Sequence, residues 1–208
     1  MPTLSTKKVI GITGGIASGK STLDQWLRQK GYCVIDADKE AKKLQAKGGP
    51  LYEALVQHFG EEILEETGEL DRPKLGKLLF SSSKAMADSA ELQDGIIRHH
   101  LAQVRDQALK EHDLVFMDIP ILIEKGYQDW FDEIWLVVVE PKIQLMRLMA
   151  RNQLSEADAR ARIASQLSVD EKKQYADRLI DNNGGVSRLY TQIKQVLNDL
   201  LAKEGDHD

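Results

Sequence analysis

The chain contains a single cysteine, Cys33, among 208 residues, so no internal disulfide can form. Cys33 lies in the apolar run 32–35 and reads as a buried, reduced thiol of a reducing compartment. No apolar run approaches the roughly 20 residues that a membrane span requires, and no basic–apolar–small leader pattern opens the chain. A cytoplasmic protein without membrane contact is expected. Basic residues are also short, with 28 Lys and Arg against 33 Asp and Glu and a formal net charge of −5. A protein that grips a nucleic-acid backbone needs a basic face, so nucleic acid is not an expected partner. Internal repeats, low-complexity linkers and an Asn-Lys-x-Asp guanine-reading motif are all missing.

What is present begins near the N-terminus. Gly14-Gly15-Ile16-Ala17-Ser18-Gly19-Lys20-Ser21 fits G-x-x-x-x-G-K-[ST], with a β-branched apolar run at 9–13 before it and a helical pattern at 23–30 after it. Glycines allow the tight turn that points successive N–H groups inward, and the helix N-terminus adds partial positive charge. Gly15, Ile16, Ala17, Ser18, Gly19, Lys20, Ser21 and Thr22 are therefore candidate ATP-binding residues. Lys20 is placed to reach the β- and γ-phosphates, and the Ser21 hydroxyl to ligate Mg²⁺. A ligand-free turn between strand and helix has no use for that lysine and hydroxyl together.

The rest of the chain supports an α/β core with an insertion, since 208 residues are long for one compact unit and short for two domains. A second apolar strand at 32–35 ends in Asp36-Ala37-Asp38. Ligands of parallel sheets sit beyond the carboxyl ends of the strands, so these acids are expected to face the crevice of the loop; capping of the helix at 39–44 is the alternative for one of them. Residues 51–112 read as helices without strands, a region suited to a second substrate. Within it Ile97, Leu101, Val104 and Ala108 form one apolar stripe, and His99-His100 sit together, either structural or solvent-facing. The strand 114–118 ends in Asp118, which suggests Mg²⁺ positioning, with capping of the next turn as the alternative. Trp130 and Phe131 read as core aromatics. The strand 133–139 is almost wholly apolar, as a sheet covered on both faces requires. Beyond Pro141 the balance turns basic, with Arg147 and Arg151 one helical turn apart and Arg162 and Gln166 at i, i+4. A mobile basic lid over a γ-phosphate is one reading of that cluster, a solvated surface the other. A last strand at 176–180, a polar turn 181–185 where adenine could rest, an amphipathic helix 186–203 and a frayed tail 204–208 complete the chain.

Taken together, Thr13 to Thr22, Ile35-Asp36-Ala37-Asp38, Asp118-Ile119-Pro120-Ile121-Leu122-Ile123-Glu124, Arg162-Ile163-Ala164-Ser165-Gln166 and Ala176 to Gly184 resemble the dephospho-CoA kinase family over nearly the whole chain. That resemblance implies a P-loop NTPase core with a five-stranded parallel sheet flanked by helices, plus a helical CoA-binding domain and a helical lid. It divides one kinase domain into core (7–47, 113–146 and 175–203), insertion (48–112) and lid (147–174). The implied reaction is ATP-dependent phosphorylation of the ribose 3′-hydroxyl of dephospho-CoA, the last step of coenzyme A synthesis. The implied roles are catalytic for Asp38, Lys20 and Arg147, ATP-binding for Arg151 and Asn182 beside the loop, and metal-holding for Ser21 and Asp118. Acceptor contacts fall to Asp36, Asp38, Arg72, His99, Arg162 and Gln166. The family's His-Pro is His99-His100 here, and its Pro-Leu-Leu-Phe-Glu is Pro120-Ile121-Leu122-Ile123-Glu124.

The partners expected are ATP with Mg²⁺ and dephospho-CoA, acting on a monomer or small homo-oligomer. One rival is a kinase of the same fold acting on another small acceptor, such as a nucleoside monophosphate. A more distant one is a nucleotide-dependent switch, against which Asp118 is not followed by the x-x-Gly of a switch segment.

Overall fold

The computed structural model describes residues 6–202. In chain order the elements are β1 (Lys8–Gly14), α1 (Lys20–Gln29), β2 (Cys33–Asp36), α2 (Ala37–Leu44), α3 (Pro50–Phe59), α4 (Arg72–Ser81) and α5 (Ser83–Glu111). They continue with β3 (Leu114–Asp118), β4 (Glu133–Val138), α6 (Pro141–Asn152), α7 (Glu156–Ala164), α8 (Val169–Lys173), β5 (Arg178–Asp181) and α9 (Val186–Ala202). Lys203 and the tail expected to fray lie outside the described residues. The strands form a five-stranded parallel sheet in the order β2-β3-β1-β4-β5.

β1 is central because it is apolar on both faces, and it pairs in parallel with β3 and β4. Its register sets Ile12 against Asp118 on one side and Gly14 against Val137 on the other. Strand order reverses at β1, so loops leaving its carboxyl end open into the crevice such sheets use for ligands.

The chain separates into two compact units, one comprising the residues up to Ile35 and from Ala108 onward, the other Asp36–Gln107. In the first, Ile10, Ile12, Phe116, Trp135 and Val137 of the sheet pack with Leu23 and Leu27 of α1 and Leu189, Ile193 and Leu197 of α9. Trp135 is fully buried and meets Phe116 edge-on at 5.3 Å. It is thus the core aromatic of β4, whereas Trp130 and Phe131 are only half-buried. Cys33 too is half-buried; burial raises its thiol pKa, with Arg28 drawing it down and Glu111 adding to the rise. The second unit has its own small core of Leu44, Leu51, Leu55 and Ile63. One antiparallel bridge, Leu64 with Leu70, interrupts what otherwise reads as helix throughout.

Local signals explain most boundaries. Asp36 accepts from Lys39 N–H and caps α2, so Asp38 lies in the first helical turn and not on the strand end. Asp71 caps α4 ahead of Pro73, and Ser155 and Ser168 cap α7 and α8, the latter with a full capping box through Glu171. α6 runs unbroken past residue 147, the expected start of a lid, to a left-handed Gln153. Replacing Trp135 by alanine should cost about 3–5 kcal/mol of stability, read as a lower urea midpoint.

Candidate active site

The segment between β1 and α1 is held in shape from three directions. Ser18 N–H donates to Gly15 O at 3.0 Å, closing the turn. Asn182, buried at the end of β5, donates through Nδ2 to Ser18 O at 2.7 Å. Ile16 is gripped on both backbone groups: its N–H donates to Gln166 Oε1 at 2.8 Å, and its carbonyl accepts from Gln144 Nε2 at 2.9 Å. Two glycines are required by this packing. Gly19 has φ +96°, and a Cβ there would collide with Asn182 Nδ2. A Cβ on Gly15 would come within 2.7 Å of Gln144 Nε2. Ala17 takes φ +60°, a left-handed conformation costing a non-glycine residue about 1–2 kcal/mol, and the surrounding bonds hold it there.

The result is an anion cradle. α1 starts at Lys20 with Gly19 as its N-cap and no side-chain cap, so its first N–H groups are left to a ligand. Lys20 Nζ lies 3.4 Å from Gly14 O, beside the loop it serves. Arg147 reaches the same place from α6, donating through Nη2 to Asn182 O at 3.0 Å.

Next to the cradle lies a pair of carboxyls, one of them unforeseen. Asp118 ends β3 in register with Ile12. Asp24, one helical turn beyond Lys20, is buried among the apolar residues of α1 and hydrogen-bonded to Asp118. Burial first, then the Asp118 carboxyl, push Asp24 from an ordinary 3.8 up to about 9, against the pull of Lys20 and Arg28. Asp24 Oδ1 is buried without a hydrogen-bond partner among the described residues. The orphaned Asp24 oxygen and the neighbouring Asp118 carboxyl are hard oxygen donors, of the kind that fits a divalent cation such as Mg²⁺. The sequence held a signal for Asp24: an acid inside the apolar stripe Leu23, Trp26, Leu27 breaks the amphipathic pattern.

A strap closes the other flank. Lys172 is wholly buried, with Nζ 2.7 Å from Glu124 Oε1 and 3.3 Å from Pro120 O. Glu124 Oε1 also accepts from Leu167 N–H, and the Thr13 hydroxyl donates to Pro120 O at 3.1 Å. Residues 166–172 are thereby tied to both the phosphate loop and the turn after Asp118. Lys172 pairs with Glu124 because a buried ammonium demands a partner, and Gln166, expected among the acceptor contacts, bonds the loop backbone at Ile16.

Of the predicted residues, the first unit gathers Gly15–Thr22, Asp118, Arg147, Gln166 and Asn182. Arg151 is exposed and bonded to its neighbour Asn152, and Arg162 is exposed near the end of α7. Asp36, Asp38, Arg72 and His99 belong to the second unit, where Asp36 is spent on its cap and the other three are exposed. Gln144 was not foreseen; a lone glutamine on a helix carries no local signal.

The family profile described as dephospho-CoA kinase matches residues 8–188. The chain belongs to the dephospho-CoA kinase family. A dephospho-CoA kinase of Streptococcus mutans serotype c is 54% identical over 193 residues, covering 93% of this chain and 98% of the relative. Among solved structures, TT1252 from Thermus thermophilus superposes with a TM-score of 0.79 at 33% identity, covering 94% of this chain and 99% of that one. Dephospho-CoA kinase from Campylobacter jejuni does so with a TM-score of 0.74 at 26% identity, covering 95% and 99%.

Two expectations follow for this kinase-family site. Between pH 4 and 9 the unfolded chain has Asp24 ionised while the folded chain keeps it protonated. Without divalent metal, Tm should therefore fall as pH rises from 6 to 8.5, and Asp24→Asn should flatten that fall and raise Tm most at the alkaline end. Lys172→Met leaves Glu124 buried and uncompensated and should destabilise by about 3–5 kcal/mol in chemical denaturation.

Proposed function

We propose that this chain transfers the γ-phosphoryl group of ATP to the ribose 3′-hydroxyl of dephospho-CoA, giving CoA and ADP. The observation that carries the reading is the braced phosphate loop at the head of an uncapped helix, in a chain of the dephospho-CoA kinase family.

Each chain residue has a physical task in this scheme. Within Gly15 to Thr22 the amides of Gly15, Ala17, Gly19, Lys20 and Ser21 hold the polyphosphate, while Ile16 N–H is taken by Gln166, Ser18 N–H by Gly15 O and Thr22 N–H by Gly19 O, which shapes the loop. Lys20 spans β- and γ-phosphates, and Arg147, with one guanidinium nitrogen fixed on Asn182 O, presents charge to the transferring group. Ser21, Asp118 and Asp24 hold Mg²⁺, which neutralises charge on the phosphate oxygens when bound. Asp38, free of the capping task that Asp36 performs, orients the acceptor hydroxyl and accepts its proton. The transition state is loose, so aim matters more than basicity and the proton can leave late. Arg72 and His99 contact the acceptor, and Arg151 and Arg162 add cationic charge. The expected state is a monomer in the cytoplasm; among the described residues no helix is long and apolar enough to cross a membrane.

The test is phosphate transfer from ATP to a panel of acceptors with product mass as the readout. Dephospho-CoA should gain one phosphoryl group and nucleoside monophosphates none; the reverse pattern overturns the assignment. Asp38→Asn should lower kcat by about 10²–10⁴-fold with the ATP affinity nearly unchanged.

A further inference from the structure

Ile16 and Ala17 share a peptide group whose direction decides what the phosphate loop offers a ligand. The Ile16 carbonyl accepts from Gln144 Nε2 at 2.9 Å, and Gln144 is buried on α6. Among the described residues every peptide is trans, so the Ala17 N–H points away from that carbonyl, to the face opposite Gln144. It has no hydrogen-bond partner among the described residues. The Ser18–Gly19 peptide repeats the arrangement: Asn182 Nδ2 donates to the Ser18 carbonyl at 2.7 Å, and the Gly19 N–H is left without a partner among the described residues. Two carbonyls held back by side-chain amides thus leave two donors for an anion.

The two peptides differ in what they need. Gly19 bears its φ of +96° without steric cost, because glycine has no Cβ. Ala17, at φ +60°, does not. Rotating the Ile16–Ala17 peptide by a half-turn would carry φ of Ala17 from +60° to about −120°, in the broad β region, and release the strain. The same rotation would swing the Ile16 oxygen to where the N–H had been, and an oxygen there repels a polyphosphate. Left to itself the loop therefore favours the orientation that cannot bind. One neutral hydrogen bond is worth about as much as the strain it opposes, so the Gln144 amide is enough to tip the balance. Gln166 does not replace it, because the Ile16 N–H it holds belongs to the preceding peptide. Gly15 makes room for the contact: a Cβ there would lie 2.7 Å from Gln144 Nε2, and φ is not in the left-handed region. Closeness to Gln144, not backbone conformation, demands that glycine.

We infer that Gln144 is a positioning residue for nucleotide binding, holding the Ile16–Ala17 peptide in the strained orientation that presents the Ala17 N–H to the polyphosphate. The inference rests on ATP as the ligand of the loop, as in the reaction proposed above.

The test measures the Kd of a non-hydrolysable ATP analogue, the Kd of dephospho-CoA and Tm on the full chain carrying Gln144→Leu, Ala17→Gly or both. Leucine fills the space but cannot donate. Glycine at position 17 removes the penalty on the left-handed φ, and with it the drive to rotate. Gln144→Leu should raise the analogue Kd about tenfold or more and leave that of dephospho-CoA within about twofold. Ala17→Gly alone should change the analogue Kd less than about threefold. The double variant should bind the analogue at least about threefold tighter than Gln144→Leu. Lost packing gives no such rescue, since a more flexible loop only adds to the damage. An analogue Kd raised less than about threefold in Gln144→Leu, or a double variant no tighter than Gln144→Leu, overturns the inference. If Gln144→Leu does not fold, Gln144→Asn, one methylene too short to reach the Ile16 oxygen, is read by the same criteria. A parent protein that does not bind the analogue sinks the nucleotide reading of the loop itself, and the inference with it.

Discussion

The structure depends on how the phosphate loop is held before any nucleotide arrives. Three side-chain amides, from Asn182, Gln144 and Gln166, bond its backbone at Ser18 and Ile16. Each comes from a different stretch of chain: the end of β5, α6, and the segment after α7. Charge would be the simpler way to restrain a loop, but a charged support would compete with the polyphosphate or repel it. Neutral amides shape the backbone and leave its positive field to the ligand. They also hold Ala17 in a conformation it would not adopt alone, so the energy of folding is stored as preorganisation of the loop.

The acidic side of the site has the opposite logic. Asp24 and Asp118 are brought together where burial penalises charge, so the pair holds on to a proton well above the ordinary carboxylate range. The fold accepts that local cost and keeps two oxygen donors together at the tip of β3 and the first turns of α1. The buried Lys172–Glu124 pair has a related role at a distance, tying the strap that carries Gln166 to the turn that follows Asp118. The strap and the loop therefore share one network, and the support at Ile16 cannot be lost without disturbing the strand tip.

The second unit has a small core of its own, formed by Leu44, Leu51, Leu55 and Ile63, on which the helices α3, α4 and α5 pack. Two histidine–carboxylate pairs, His58 with Asp88 and His100 with Glu40, link α5 to α3 and to α2.

Much of this was legible beforehand. The loop motif, the β-branched β1 and the apolar β4 were legible as strand, loop and strand, because glycine spacing and strand patterning are local properties that survive in any context. The double acid after β2 was legible too, and in the structure Asp36 takes the capping role by accepting the Lys39 amide. What the chain order could not carry was the identity of the supports. Gln144, Gln166 and Asn182 lie 128, 150 and 164 residues from their partners, and an amide side chain looks the same whether it faces water or a loop. Lys172 was likewise invisible as a buried charge, whereas Asp24 showed only as an acid interrupting the apolar stripe of α1. Local sequence determines which residues can bind phosphate, through backbone freedom and helix polarity; only tertiary packing decides which polar groups lose their water, and hence which must find one another.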